Sequence, residues 1–175
     1  PLVFVRAADV GLVGNELPAQ IEAIPGMLDR LEKIRGVAAV KVGLLTDYER
    51  SAWDCPGLPK MTLVAEPKDY TALDGALVKA DEIDLLVRMM SMQKPHPAIA
   101  MTGVMCTAAA CALEGSIAWQ VLRKTADSNC IRMGHAGGIA EGGVSCSMEG
   151  GKVKVDSTTG VRTANLLMVG DVFCC

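Results

Sequence analysis

Aromatic residues are scarce in this sequence. Only six of its 175 residues are Phe, Trp or Tyr, so the core has to be built from aliphatic side chains and methionine. The stacked rings that bind single-stranded nucleic acids are therefore not expected. Dense basic runs are also lacking, and 17 Lys and Arg stand against 20 Asp and Glu. Because affinity for a phosphate backbone comes from clustered cations, no nucleic-acid partner is predicted.

Long apolar segments and metal-binding cysteine pairs are missing as well. The longest stretch without a charged residue, 95–113, contains two prolines and a histidine and makes a poor membrane span. The seven cysteines form no Cys-x-x-Cys pair and none lies at zinc-ligand spacing from a histidine, so no bound metal is expected. We predict reduced thiols in a cytoplasmic protein. The adjacent Cys174 and Cys175 are unexplained.

The composition is that of a folded domain, but no catalytic signature is present. Half of the residues are hydrophobic and 21% are charged, which supports a sizeable core. There is no GxSxG elbow, Walker loop, HExxH pair or dinucleotide fingerprint, so no hydrolase, kinase or metalloprotease is indicated. Pro1 is followed directly by a strand-like LVFV run. This start predicts that the chain is the second half of a longer protein, divided at the boundary between its two halves.

Hydrophobic periodicity predicts secondary structure over most of the chain. Residues 2–6 and 61–65 are predicted as strands because β-branched and aliphatic residues dominate them. Leucine and isoleucine recur at helical spacing opposite charged residues over 25–45, which predicts an amphipathic helix. The same criteria predict a surface loop over 46–60, a turn-rich stretch over 66–82 and a strand over 83–90.

The second half of the chain has a different pattern. The segment 100–113 is apolar all the way round, which predicts a helix buried on every side. After Ile131, short runs separated by Gly-Gly pairs predict antiparallel strands joined by tight turns, and 161–173 is predicted as a last strand. The resulting expectation is an α+β fold: a twisted, mostly antiparallel sheet curled around one central apolar helix, with the amphipathic helix outside.

The start of the central helix is the main candidate site. A helix start offers up to four free backbone N–H groups and the positive end of the helix dipole, and both suit a carboxylate. Thr102 is interpreted as a side-chain cap, and Gly103 as a point where the missing Cβ lets an oxyanion approach. Further polar side chains are predicted to converge there: Arg88, Ser91, Lys94 and His96.

Each of these residues also has an ordinary structural interpretation. Thr102 can be a plain helix cap, and His96 a solvated loop residue. Arg88 and Lys94 can belong to a solvated strand edge. Cys106, one turn into the helix, is most simply a core residue.

Two other segments each allow two interpretations. The glycine-rich stretch 134–138 contains the second histidine and favours a tight turn between strands over a phosphate cradle. The stretch 162–165 contains an arginine in an apolar segment, which suits either a buried ion pair or a carboxylate clamp.

Ordered blocks across essentially the whole chain resemble the second half of the PrpF family. That family comprises 2-methylaconitate cis-trans isomerases, 4-oxalomesaconate tautomerases, methylitaconate isomerases and aconitate Δ-isomerases. Two details depart from it: HAGG replaces an HPSG-like turn, and RTANLL replaces an RTARRL-like segment. The matching blocks are VFVRAADVGLVGNEL, LEKIRGVAAVKVGL, VRMMSMQKPHPAIAMTGVMCTAAA, IRMGHAGGIAEG and VRTANLLMVGDVF.

The resemblance implies a fold similar to diaminopimelate epimerase. That fold has two pseudo-symmetric lobes, each a barrel-like sheet around a central helix, and the two helix starts hold substrate carboxylates in the cleft between the lobes. Thr102 and Gly103 take this role here. The family's proton-transfer lysine and cysteine lie in the first lobe. Residues 1–175 are therefore expected to form a single lobe that needs the first lobe as its partner and is inactive alone.

The resemblance also implies the reaction, a cofactor-independent shift or rotation of a C=C bond in an unsaturated di- or tricarboxylate by proton transfer. Arg88, Ser91 and Lys94 would position the substrate together with the helix start, and His96 would shape or protonate the site. Two alternatives stay open: a non-catalytic carboxylate-binding or assembly lobe, and an amino-acid racemase, which would need a cysteine at or next to position 102. A homodimer is also left open.

Overall fold

This computed structural model describes residues 1–162, 166 and 168–170, which contain both strands and helices. The strands are β1 Leu2–Arg6, β2 Lys60–Ala65, β3 Tyr70–Thr71, β4 Leu77–Val78, β5 Leu85–Ser91, β6 Lys94–Pro95, β7 Ile131–His135, β8 Gly138–Glu149 and β9 Lys152–Gly160. The α-helices are α1 Pro18–Glu22, α2 Met27–Lys41, α3 Ser51–Asp54, α4 Met101–Cys111 and α5 Ile117–Val121. Short 3-10 helices span Ala7–Val10, Tyr48–Arg50 and Ala80–Glu82.

One seven-stranded sheet organises the fold. Its strand order is β1-β2-β5-β7-β8-β9, with β6 paired to β5. The β1–β2 and β5–β7 pairs are parallel, and the remaining pairs of this sheet are antiparallel. The sheet curls into a half-barrel with α4 on one face. The predicted α+β class is confirmed, and a small β3–β4 sheet stands apart.

The central strand β5 is buried on both sides and separates two apolar clusters. Leu85, Val87 and Met89 belong to the cluster that contains α4, whereas Leu86 and Met90 belong to the cluster that contains α2. Because successive side chains of a strand point to opposite faces, the residue between Val87 and Met89 points towards α2. This alternation decides which of the predicted site residues can meet.

The central helix α4 is confirmed, but its burial on every side is not. Val104, Thr107 and Ala108 pack into the interior, whereas Thr102 and Cys106 are exposed. These two residues are four apart and therefore lie on one stripe of the helix. Since a half-barrel covers only part of a helix, this stripe stays open. The interpretation of Cys106 as a core residue is therefore wrong.

The amphipathic helix is confirmed as α2, but the segment predicted as a loop over 46–60 contains α3 and a 3-10 helix. Arg35 of α2 anchors the 46–60 segment. Its side chain is buried, with the residue 4% exposed, and it donates hydrogen bonds to the carbonyls of Ser51, Cys55 and Leu58. These bonds hold the segment against α2. Similarly, the turn-rich stretch 66–82 contains β3, β4 and a 3-10 helix.

The antiparallel hairpins after Ile131 are confirmed as β7–β8 and β8–β9. The tight turn predicted at 134–138 joins β7 to β8. In the predicted last strand over 161–173, the described residues, 161, 162, 166 and 168–170, form no strand. The other residues of that segment, 163–165 among them, and Cys174 and Cys175 lie outside the described residues. Among the described residues, no helix is both long and apolar enough to cross a bilayer.

Candidate functional site

The start of α4 has free backbone donors and no side-chain cap. The N-cap residue is Ala100, in an extended conformation and without a side-chain cap hydrogen bond; its own N–H donates to Met89 Sδ at 3.4 Å. The predicted cap at Thr102 is therefore wrong, because Thr102 is already the second helical residue. The first bond of the helix runs from the N–H of Val104 to the Ala100 carbonyl, at 2.9 Å. The N–H groups of residues 101–103 precede that bond and point out of the helix end.

A small cavity of about 110 Å³ lies at this helix start. Lys60, the first residue of β2, contributes a positive charge to it. Thr102 contributes a hydroxyl and Cys106 a thiol from the open stripe of α4. A cavity with an ammonium group and a helix start is suited to a small anionic group. Its lining includes Leu2, Leu58, Lys60, Met89, Thr102 and Cys106.

Gly103 has a different role from the one predicted. A Cβ added there would lie 3.1 Å from Ile99 Cγ1 and 3.1 Å from both Met89 Sδ and Met89 Cε. The space next to its Cα is therefore occupied by core side chains. The prediction that the missing Cβ makes room for an oxyanion is corrected, because the glycine allows α4 to approach β5. Its backbone N–H still belongs to the uncapped helix start.

Arg88 does not reach this cavity. It lies on the α2 face of β5, is 3% exposed, and donates hydrogen bonds to the backbone carbonyls of Glu16, Val87 and Gly134. Its guanidinium carbon is 5.0 Å from the centroid of the Tyr70 ring, a cation–π arrangement. Burial lowers the pKa of Arg88 from its usual value. The predicted convergence of Arg88 on the helix start is corrected, since the sheet separates the two.

Ser91 and Lys94 lie opposite each other at the base of a hairpin turn between β5 and β6. The two turn residues, Met92 and Gln93, have φ values of 51° and 63°, the positive pair that a type I′ hairpin requires. Lys94 is exposed and lines a separate open groove of about 660 Å³ between this turn and α2. The same groove exposes the ring of Trp53.

His96 belongs to a short connection that we call the strap, residues 96–100 between β6 and α4. Its backbone N–H donates to the Met89 carbonyl at 2.7 Å. Its ring is turned back on the strap, where Nδ1 accepts from the N–H of Ala98 at 3.0 Å. The structure therefore places His96 next to the helix start along the chain and fixes its ring by the strap's own backbone.

Two side chains of the cavity that carry a polar group, Lys60 and Cys106, were not among the predicted site residues. Lys60 reaches it because β1 and β2 pair in parallel, which brings the start of β2 beside the chain's first residues. Cys106 reaches it because the half-barrel is open on that side. Both depend on tertiary arrangement, and no local pattern indicated them. Within the described part of the chain, no three His, Cys, Asp or Glu side chains are grouped so that they could hold a metal ion.

Comparisons with known proteins show what the chain is similar to. The family model described as PrpF protein matches residues 1–175. A 3-methylitaconate isomerase of Eubacterium barkeri is 35% identical over 174 residues, covering 99% of this chain and 45% of that protein. A 2-methyl-aconitate isomerase of Shewanella oneidensis is 32% identical over 172 residues, covering 98% of this chain and 43% of that protein.

A solved structure is similar as well. The crystal structure of a methylitaconate-delta-isomerase matches with a TM-score of 0.80 and 32% sequence identity, covering 93% of this chain and 43% of that one. The chain thus spans less than half the length of the relatives it matches.

Proposed function

The chain belongs to the PrpF family, and we propose that the intact protein is an isomerase of unsaturated di- or tricarboxylates. It would shift or rotate a C=C bond by proton transfer, with no cofactor. Relatives named for methylitaconate and methylaconitate support this substrate class. Since the chain spans less than half of those relatives, the activity is proposed for the full-length protein.

The observation that carries this proposal is the uncapped start of α4 at a cavity with a lysine. A substrate carboxylate there would accept hydrogen bonds from the free N–H groups of residues 101–103 and pair with the ammonium group of Lys60. Thr102 would add its hydroxyl. Ser91 and Lys94, on the neighbouring hairpin, would contact a more distant part of the substrate, and His96 would shape the site or donate a proton.

The chemistry requires stabilisation of a carbanion. A base removes a proton from the carbon next to the double bond, the C=C bond moves, and an acid returns a proton at another carbon. The intermediate negative charge is delocalised into a carboxylate. The helix start and Lys60 would stabilise that charge as it develops, because fixed donors act strongly in a site with little water. The main base and acid are assigned to the half of the protein outside these residues.

We further propose that residues 1–175 form one lobe of a two-lobe molecule with a diaminopimelate epimerase-like fold. The half-barrel around α4 and the coverage of less than half of each relative support this. The first lobe would close over the open stripe of α4 and complete the site. A racemase with a thiol at the helix start is less well supported, because residues 101–103 are Met, Thr and Gly.

The test is an exchange experiment on the full-length protein. Incubation with methylitaconate, methylaconitate, trans-aconitate or oxalomesaconate in deuterated buffer, followed by NMR, should show an isomer of at least one acid with deuterium at the carbon that is reprotonated. A Lys60→Ala variant should raise the KM about tenfold, because it removes a charge-assisted hydrogen bond. The matched control is Lys68→Ala, a lysine outside the cavity. Absence of both isomer and deuterium with every acid would contradict the proposal.

A further inference from the structure

One residue of the central strand β5 holds both ends of the strap. The N–H of His96, at the start of the strap, donates to the backbone carbonyl of Met89 at 2.7 Å. The N–H of Ala100, at its end, donates to the side-chain sulfur of the same Met89, with 3.4 Å between the nitrogen and Sδ. Because Ala100 is the N-cap residue of α4, the second bond ties the start of the helix directly to β5.

Met89 is itself part of the core. It is 2% exposed and lies opposite Thr62 of β2 in the antiparallel pair of β2 and β5. Its Sδ and Cε atoms both lie 3.1 Å from the position that a Cβ on Gly103 would take. The thioether is therefore packed between the strap and the first turn of α4.

The chemistry of a thioether suits this position. An acidic or hydroxyl side chain at a helix start accepts hydrogen bonds from the second or third helical N–H, and a carboxylate there would also repel an anion. The sulfur of Met89 is a weak, uncharged acceptor, and it accepts from the N–H of Ala100. The N–H groups of residues 101–103 stay free for a ligand, next to the cavity that Met89 also lines.

We infer that Met89 is a positioning residue, whose sulfur fixes the N-cap amide and thereby sets the direction of the free N–H groups at the start of α4. The link to substrate rests on the proposed function, in which those groups bind a carboxylate. The attachment of the strap to β5 stands on the two hydrogen bonds alone. Because a thioether has no proton to donate, Met89 acts on the carboxylate through the backbone of α4.

Hydrogen exchange in the wild-type full-length protein is the first test, and it does not depend on activity. Without substrate, the Ala100 amide should exchange at least about tenfold more slowly than the amides of residues 101–103. The reason is that the Ala100 N–H is bonded to Met89, whereas the other three precede the first bond of the helix. Equal rates for these four amides would overturn the inference before any variant is made.

A matched pair of variants separates the sulfur from the packing. Met89→Leu keeps a side chain of similar volume and removes the acceptor. The control is Met90→Leu at the next residue, which is 4% exposed and belongs to the cluster that contains α2. Since both variants replace a buried methionine by leucine, their urea midpoints should change by similar amounts.

Only Met89→Leu should affect the start of α4. Its Ala100 amide should exchange about tenfold faster than in wild type, while the His96 amide, bonded to the main-chain carbonyl of residue 89, keeps its rate. The kcat/KM for the isomerised acid should fall about threefold, mainly through a higher KM, because the free N–H groups bind the carboxylate before as well as during the reaction. Met90→Leu should change neither the exchange at Ala100 nor the KM.

The variants can contradict this role in two ways. If Met89→Leu leaves the Ala100 exchange or the KM at the wild-type value, or if Met90→Leu changes both equally, the sulfur does not position the helix start. If the wild-type protein isomerises none of the acids, the proposed function fails instead, and the exchange at Ala100 still decides whether Met89 anchors the strap.

Discussion

Gly103 lies at the start of α4, where its missing Cβ would point at core side chains. The sequence indicated a glycine at a helix start, where a ligand can approach. The structure shows that the space beside its Cα is filled by Met89 and Ile99. A glycine can be needed for either reason, and only the direction of the missing Cβ distinguishes them.

This direction leads to a prediction for two substitutions. In Gly103→Ala, the gain in helix propensity, about 1 kcal/mol, is offset by overpacking against a flexible Met89 side chain, about 1 kcal/mol. The free energy of unfolding should therefore stay within about 1 kcal/mol of wild type. Gly103→Leu should lower it by more than about 2 kcal/mol, since Ile99 cannot move as freely. Urea titrations of the full-length variants measure both values.

Substrate binding provides the second readout for Gly103. Because the backbone N–H is retained, the KM of Gly103→Ala should stay within about threefold of wild type. A large rise in KM with unchanged stability would restore the original interpretation, in which the missing Cβ makes room for the carboxylate.

At the scale of the elements, one buried aspartate ties three of them together. Asp84, which is 2% exposed, accepts hydrogen bonds from the backbone and the guanidinium of Arg132 at 2.8 to 3.1 Å. Its other partner is Arg123, at 3.7 Å. The carboxylate precedes β5, while the arginines come from β7 and the segment after α5. This network fixes β7 beside β5.

Asp84→Asn should therefore be clearly destabilising. Removing one partner of a buried pair costs about 3–5 kcal/mol, and the partial exposure of both arginines reduces this to about 2 kcal/mol. The matched control is Asp54→Asn, which breaks the exposed pair with Arg50 at 2.7 Å and should leave the free energy of unfolding nearly unchanged, because solvent screens an exposed pair. Urea midpoints of the two variants should differ accordingly, and equal midpoints would contradict the role of Asp84.

Elements and networks differ in how far the sequence predicts them. Local hydrophobic periodicity, which a short stretch of sequence contains, predicts α2, α4, the early strands and the late hairpins. The hydrogen bonds of Arg35 with the 46–60 segment, and those of Asp84 with its arginine partners, join residues far apart in the chain. No short stretch of sequence therefore contains both partners. The same holds for Arg88. The sequence indicates that Arg88 points to the opposite face of β5 from Val87 and Met89. It does not indicate which of the two faces packs against α4.

At the scale of the whole molecule, the open stripe of α4 is the feature that the composition least indicated. A helix that is apolar all the way round predicts burial on every side, yet the half-barrel leaves Thr102 and Cys106 uncovered. In the two-lobe arrangement that we propose, the first lobe covers this stripe. The exposure of Cys106 then becomes a probe of lobe closure.

Thiol labelling tests this arrangement on two proteins, the 175-residue chain and the full-length protein. Cys106 should react at least about tenfold faster in the 175-residue chain, because closure limits access to the thiolate that reacts. Cys111 reports folding in the same sample: it is buried, burial raises its pKa to about 12, and it should stay unlabelled in both proteins. Cys146, exposed on β8 and outside the cavity, should be labelled in both. Peptide mapping by mass spectrometry resolves the individual sites.

If Cys106 reacts equally fast in the two proteins while Cys111 stays protected, the first lobe does not close over this helix, and the carboxylate site has to be completed from another direction.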